Sequence, residues 1–451
     1  MNNLSEFLQA AARVKPSRKQ MKTLETGFYA FFHFGVNTFT GREWGTGEED
    51  PAIFNPTELD CDSWVSAIKS ASMKGAVLTA KHHDGFCLWP SRYTEHCVKN
   101  SPFKNGKGDI VRELARACER GGIKFGFYLS PWDRNNPSYG TPEYNNYYKN
   151  QLTELLTQYG EIFHIWFDGA CGEGPDGRRQ VYDYDGYIEL IHKHQPNATI
   201  FNDHGPDIRW VGNEGGAGRY AEWAVVPSEL CFRCRDITPV TPLMEGDLAH
   251  MYNWDSDIGA LSNIIYSKGL VFCPSEIDMS IRKGWFYHPE EEPHSLERLC
   301  YTYLRSVGGN ATFNLNVPPM PNGLLDPRDT ARLEELGKKI RESFAVELVG
   351  AKKAEITRED MSRTQSLFTV RFPEPVEINY VVLMEDIEQG QRVESFHIET
   401  IETNPEKRPK KFGGTTIGYK KICPVQLKTE LFRVHITSSR DRTELKVIGA
   451  Y

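Results

Sequence analysis

No stretch of this chain approaches the roughly twenty consecutive apolar residues that a membrane-spanning helix needs. The opening segment, Met1 to Gln20, also lacks an apolar core of the signal-peptide kind. The chain as it stands is therefore expected to be soluble: cytoplasmic, or periplasmic or secreted if a leader was removed. A basic excess is missing too. Lys and Arg total 53 against 61 Asp and Glu, a formal net charge of -8 with the two signs interspersed. Neither nucleic acid nor an anionic membrane is an expected partner, since both call for basic stripes. A small neutral or polar substrate fits better. No GxGxxG or GxxxxGKS stands at a strand-to-helix turn, so a nucleotide fold has no anchor.

Cysteine is sparse, ten residues in 451 with no framework spacing. Cys118 lies among Ile110, Leu114 and Ala117 at helical spacing and reads as a buried reduced thiol. Cys231 and Cys234 have the spacing of a metal or redox pair, but no second pair stands at a suitable distance. A structural zinc normally takes four ligands, so no metal is expected there.

What the sequence does contain is an alternation of strand and helix signals from about residue 27 to 205, the pattern of repeated βα units. Strands are predicted at Gly27 to Asn37, Ala76 to His82, Lys124 to Ser130, the run Phe163 to Phe167 and Ala198 to Asn202. Helices are predicted at Asp60 to Met73, Asp109 to Arg120, Glu143 to Tyr159 and Tyr182 to His194. Loops dominate from Gly205 to Pro293, interrupted by a strand at Gly269 to Cys273; a helix at His294 to Val307 and a strand near Phe313 to Val317 follow. A (β/α) TIM-like barrel over residues 1–343 accounts for this order. Beyond the helix Asp326 to Glu342, short runs divided by Gly, Pro and charged turns (Leu367 to Phe372, Val376 to Met384, Val393 to Thr400, Lys420 to Gln426, Leu431 to Ser438) predict a β-sandwich over 344–451. That module holds no tryptophan, which argues for packing on the barrel and against an aromatic sugar platform.

Barrel enzymes assemble their sites from the C-terminal ends of several strands. Here those ends carry His33; Lys81-His82-His83-Asp84; Tyr128, Ser130, Trp132 and Asp133; and Asp168, where an apolar run stops at Asp-Gly. Each has a dull explanation, a satisfied core histidine or a turn aspartate. Together they point to one rim. A metal site built on His33, His82, His83 and Asp84 is disfavoured, because these histidines show no HxH or HExxH spacing and neighbours on a strand face opposite ways. A sugar hydrolase, needing two carboxyl groups, hydroxyl-binding histidines and aromatic walls, suits the inventory better. Trp44, Trp89, Tyr128, Trp132, Trp166, Trp223 and Trp285 supply the walls.

The segments His33-Phe34-Gly35, Glu43-Trp44-Gly45, Lys81-His82-His83-Asp84-Gly85-Phe86, Tyr128-Leu129-Ser130-Pro131-Trp132 and Trp166-Phe167-Asp168-Gly169 resemble, in order over about residues 20 to 340, the serial motifs of glycoside hydrolase family 29, the retaining α-L-fucosidases. The resemblance implies Asp168 as nucleophile, with His33, His82, His83, Tyr128, Glu43 and Trp44 holding the fucose hydroxyls and ring and Trp285 as a wall for its methyl group. Arg209-Trp210-Val211-Gly212-Asn213-Glu214 is similar to the RWxGNE stretch of the subgroup acting on α-1,3 and α-1,4 branches, which implies Glu214 as acid/base, with Glu173 and Glu222 as rivals. The run from Asp168 to Pro175 resembles that subgroup's DGANGEGP, with Cys171 in place of Asn.

The implied chemistry is double displacement on a fucosylated glycan, with no cofactor and no metal, and with the two carboxyl groups about 5 to 5.5 Å apart. Leaving-group subsites are expected in the loops between Asp207 and Tyr252. A broad-specificity fucosidase and a barrel that binds glycans without turning them over remain the alternatives.

Overall fold

The computed structural model describes residues 2–220, 222–246, 248, 257–401 and 410–451. Eleven strands precede the long helix Pro327–Ser343: β1 (Phe28–Phe32), β2 (Gly75–Lys81), β3 (Lys124–Leu129), β4 (His164–Trp166), β5 (Thr199–Asn202), β6 (Ile208–Trp210), β7 (Val225–Pro227), β8 (Thr238–Pro239), β9 (Gly269–Phe272), β10 (Ser275–Ser280) and β11 (Thr312–Asn316). Eight of them close a parallel barrel in the order β1-β11-β10-β6-β5-β4-β3-β2.

Barrel strands are covered on both faces, which is why β1 and β2 are apolar at nearly every position. Alternation still sorts the side chains. Tyr29 and Phe31 pack inside with Val77, Tyr128, Trp166, Phe201 and Ile208, while Phe28, Ala30 and Phe32 face the helical shell. The helices begin where the sequence supplies side-chain caps: Asp60, Asp109, Asp183 and Asp326 each accept a backbone N–H in the first turn. Gly126 is required where β3 crosses β4, since a Cβ there would stand 2.4 Å from the His164 carbonyl oxygen.

Two expectations are corrected in this half. The run Gly269 to Cys273 is not a barrel stave; β9 pairs antiparallel with β7 and β8 in a separate three-stranded sheet. The staves on that side are β6, cut from a stretch expected to be loop, and β10, which carries Glu276 and Asp278. The first strand also ends at Phe32, and Val36–Thr40 is a short helix.

The C-terminal part contains β12 (Glu355–Ser362), β13 (Gln365–Glu385), β14 (Val393–Thr400), β15 (Lys411–Gly414), β16 (Lys421–Ser439) and β17 (Leu445–Ala450), all antiparallel. The runs expected as separate strands are joined. β13 and β16 each run through register shifts between Arg371 and Val376 and between Ile378 and Tyr380, and such irregularities let one strand bend from one layer into the next. One half of β13 pairs with β12, the other with β17. Phe368 and Val370 from the first half and Val381 and Leu383 from the second share a single core, so the β-sandwich arises from folded-over strands.

This module is bonded to the barrel. Tyr419 N–H donates to Asn310 Oδ1 at 2.6 Å, Ile422 N–H to the Gly308 carbonyl at 2.8 Å, and the Arg440 guanidinium lies 4.1 Å over the Trp223 ring.

Candidate active site

At the C-terminal rim a cavity of about 160 Å³ is lined by Phe31, His33, Glu43, Trp44, His82, His83, Tyr128, Trp166, Asp168, Ala170, Glu214, Asp278 and Trp285. The nine side chains given catalytic or sugar-binding roles from the sequence all line this one space, whereas Trp89, Trp132 and Trp223, also expected as walls, do not. A larger cleft of about 760 Å³ lies at the opposite end, among Lys22, Lys124, Phe125 and Phe163 at the strand starts, and holds none of them.

Asp168 lies two residues past the end of β4. Its Oδ2 accepts from the Tyr128 hydroxyl at 2.9 Å, and its Oδ1 accepts from Ala170 N–H at 2.8 Å. Both contacts fix the plane of its carboxyl group. Tyr128 is fully buried, and burial together with the Asp168 charge raises its pKa well above the ordinary value, so the phenol stays a donor.

The histidines were expected on opposite faces of a strand. In fact β2 ends at Lys81, and His82 and His83 lie in the turn beyond it with ring centroids 4.1 Å apart, both facing the cavity. That turn is held by Lys81, whose buried ammonium pairs with Asp133 at 2.9 Å and also bonds Gln151 at 3.0 Å.

Two tautomers are fixed by protein groups. Asn316 Nδ2 donates to Ser280 Oγ and to the Trp285 carbonyl, which orients the amide so that its Oδ1 accepts from His33 Nδ1 at 2.9 Å. Ser130 spends its hydroxyl proton on the Trp132 carbonyl and therefore accepts from His83 Nδ1 at 2.7 Å. Each ring thus turns an unprotonated Nε2 to the cavity, an acceptor for a hydroxyl. Burial holds His33 neutral, its pKa down to about 3. Burial also lowers His83 despite Asp168, whose Oδ2 is 3.7 Å from its Nε2.

Glu214 sits on the loop after β6. Asn213 shapes that loop, its Oδ1 accepting from Gly215 and Ala217 N–H at 3.1 Å each and its Nδ2 donating to the Ala217 carbonyl at 2.8 Å. Gly216 N–H then bonds the Asp278 carbonyl at 3.2 Å, docking the loop on β10. The Trp285 indole N–H donates to Glu214 Oε2 at 3.2 Å. Trp285 itself stacks obliquely on His33, centroids 5.0 Å apart. Glu43 clamps its segment, accepting from Trp285 N–H at 2.9 Å and meeting His288 Nε2 at 2.8 Å. Trp44 is 60% exposed at the mouth, edge-on to Trp132.

The rivals lie elsewhere. Glu222 is buried between Arg209 and Arg219, at 2.6 and 3.3 Å. Glu173 is exposed and does not line the cavity; its carbonyl accepts from the Trp132 indole. Cys171 faces Tyr139 and the Gln180 carbonyl. Of the loops between Asp207 and Tyr252 expected to form leaving-group subsites, residues 221, 247 and 249–252 lie outside the described residues.

Sequence reasoning passed over Asp278, 2% exposed at the cavity floor with its Oδ1 accepting from the Trp210 indole at 2.8 Å. Burial, then Glu276, raise its pKa well above the ordinary carboxylate value, against the Trp210 hydrogen bond, which lowers it. The alternation Glu276, Asp278, Ser280 along one strand face was the signal that could have revealed it.

A family model described as Alpha-L-fucosidase matches residues 17–222. Alpha-L-fucosidase 1 of Arabidopsis thaliana is 37% identical over 465 aligned residues, covering 97% of this chain and 87% of that one. The chain belongs to the α-L-fucosidases of glycoside hydrolase family 29. Solved structures agree with this assignment. A Bacteroides ovatus crystal structure, 41% identical, covers 99% of this chain and 76% of that one with a TM-score of 0.87. The Ruminococcus gnavus GH29 fucosidase solved in complex with fucose is 28% identical, covers 97% and 95%, and has a TM-score of 0.84. The substrate class of this α-L-fucosidase is a fucosylated glycan.

Proposed function

We propose that this fucosidase is a retaining exo-enzyme that removes α-1,3- or α-1,4-linked L-fucose from branched, Lewis-type glycans, with Asp168 as nucleophile and Glu214 as acid/base. The observation that carries the reading is the sharing of one small cavity by these two carboxyl groups, Asp168 held from below by Tyr128 and Glu214 held from the side by Trp285. At about 160 Å³ the space is well under that of drug-sized pockets and suits a single terminal sugar.

In the first half-reaction Asp168 attacks the anomeric carbon while Glu214 gives its proton to the departing oxygen. In the second, Glu214 accepts a proton from water as that water attacks the same carbon and displaces Asp168. The bare Nε2 atoms of His33 and His83 accept from sugar hydroxyls, and Trp285 covers an apolar face of the ring. Asp278, its pKa pushed up by burial, offers a further polar side chain to the sugar in the same cavity.

The linkage preference rests on the Asn213-Glu214 context and on contacts to a neighbouring galactose, whose binding energy would be expressed in the transition state. Comparing kcat/KM for Lewis a or Lewis x trisaccharide, an α-1,2-fucosylated disaccharide and an aryl fucoside tests it. The trisaccharides should be hydrolysed best; parity with the aryl fucoside would assign broad specificity instead. The anomer released first, read by NMR, should be α, and a β product would exclude retention.

A further inference from the structure

Away from the cavity, the isolated pair Cys231 and Cys234 gains a third thiol. Cys273, at the end of β9, brings its sulfur to them, and the three Sγ atoms all lie within 4.8 Å of one another. A zinc ion with Zn–S bonds of about 2.3 Å sets tetrahedral sulfur–sulfur edges of about 3.8 Å, inside that limit. Cys231 and Cys273 are buried, whereas Cys234 borders a cleft of about 190 Å³ with Asp207, Arg235 and Asp236, a route from solvent.

The backbone around the thiols is shaped for this convergence. Arg233, between the paired cysteines, has φ of 58°, the left-handed conformation that L-residues seldom adopt, and it turns the Cys231–Cys234 segment back on itself. Gly205, also at positive φ, faces the cluster: a Cβ there would stand 3.4 Å from Cys273 Sγ and 3.5 Å from Cys234 Sγ. The side between two sulfurs is kept open by the absence of a side chain. The Cys234 thiol meets the Pro206 carbonyl at 2.9 Å, so the same turn carries both features.

We propose that Cys231, Cys234 and Cys273 form a structural site for a soft divalent cation of the zinc class, with the fourth tetrahedral position taken by solvent. Binding converts three thiols to thiolates and releases three protons, without any change of oxidation state. The ion would staple the loop 228–236 to the end of β9, securing the three-stranded sheet beside the barrel.

The test is a Co²⁺ titration of the full chain after reduction and removal of metal. The expected result is an intense sulfur-to-cobalt charge-transfer band that saturates at one equivalent, is bleached by Zn²⁺, disappears in Cys273→Ser and persists in His435→Ala. The last variant matters because His397, Glu399 and His435 form a second, surface group of possible ligands that holds no sulfur. Absence of the band, or its survival in Cys273→Ser, would overturn the proposal. So would a Cys231–Cys234 disulfide that forms in air in a protein that takes up no Co²⁺ when reduced, since the group would then be a redox pair. Should Cys273→Ser fail to fold, alkylation followed by mass spectrometry on the wild-type chain decides. Zn²⁺ should slow labelling at all three cysteines together and leave Cys171 and Cys300 unchanged; equal labelling with and without Zn²⁺ counts against the site.

Discussion

The Tyr128 hydroxyl stands 2.9 Å from Asp168 Oδ2 and donates to it, so one oxygen of the proposed nucleophile is paired from the barrel interior while the other is paired by Ala170 N–H. The carboxylate is thereby aimed before substrate arrives. Asp168→Asn keeps this frame but removes the nucleophile, and kcat should fall by at least about a thousandfold with an unchanged melting temperature. Tyr128→Phe deletes one charge-assisted hydrogen bond, of about 1.5–3 kcal/mol, so a loss of roughly ten- to a hundredfold is expected. A tenth or more of wild-type activity in Asp168→Asn would refute the assignment.

His33 ties stability to pH. Its folded pKa is lowered from 6.5 to about 3, so below about pH 6.5 the unfolded chain takes up a proton that the folded chain refuses. Stability from this group is fully present above pH 6.5 and is lost as pH falls toward 3, by about 1 kcal/mol per pH unit. Asp84, raised by burial to about 7, acts in the opposite sense, since the folded chain keeps its proton as pH rises from about 4. A difference measurement separates them. The stability gap between wild type and His33→Asn should narrow steadily from pH 7.5 to 4.5 in urea titrations, and a constant gap would show that His33 is not held neutral by the fold.

Glu276 concentrates the polar interior of the barrel. Its carboxylate accepts from the Trp166 indole at 2.8 Å, Asn314 Nδ2 at 3.0 Å and the Tyr29 hydroxyl, and His164 Nε2 lies 3.2 Å away. Burial pushes its pKa up, but these partners outweigh burial and bring it below the usual value. Glu276→Ala leaves several buried donors unpaired and should cost about 3–5 kcal/mol in chemical denaturation. Because Trp166 precedes the Asp168 turn, activity of the surviving folded fraction should fall as well.

How far the sequence carried this reading depends on the range of the interactions. His33, His82, His83, Tyr128 and Asp168 were legible because each terminates an apolar strand run, and a parallel barrel sends all such ends to one rim. β6 and β10 were not. At Ile208–Trp210 and Ser275–Ser280 the staves carry Arg209, Glu276 and Asp278, polar residues satisfied only by partners distant in sequence, so no apolar run marks them. The third cysteine was hidden for a related reason, since β9 meets the Cys231 loop only in the folded chain. The joined strands β13 and β16 were missed because Pro and charge inside a strand read as turns, whereas here they lie at or beside bulges.

Asn213 offers a test of loop shape separate from chemistry. Its three side-chain hydrogen bonds stay within residues 213–217, and none reaches the barrel core. Asn213→Ala should leave global stability almost unchanged, yet lower kcat about tenfold or more by loosening the residue next in sequence. Crystallography should then show a displaced Glu214. A fall in stability with kcat intact would mean that the loop is structural only.

The role of Glu214 is separable from that of Asp168 by the leaving group. A proton donor matters when the departing alkoxide is a poor leaving group, as with the sugar hydroxyl of a Lewis trisaccharide, and matters little when a nitrophenolate departs. Glu214→Ala should therefore lose roughly a hundredfold to ten-thousandfold in kcat/KM on the trisaccharide, the usual range for a general acid, and far less on an activated aryl fucoside, for which glycosyl-enzyme formation needs no proton. On that activated substrate, hydrolysis of the intermediate still needs the base, so the intermediate should accumulate and give a pre-steady-state burst. Added azide, which needs no base, should restore turnover and yield the fucosyl azide of the same anomeric configuration as retention requires. Asp168→Asn should show none of this pattern: equal losses on both substrates and no burst. If Glu214→Ala instead lost equally on both, the Glu214–Trp285 contact would be a substrate-binding arrangement, and the acid would have to be sought among other groups of the rim.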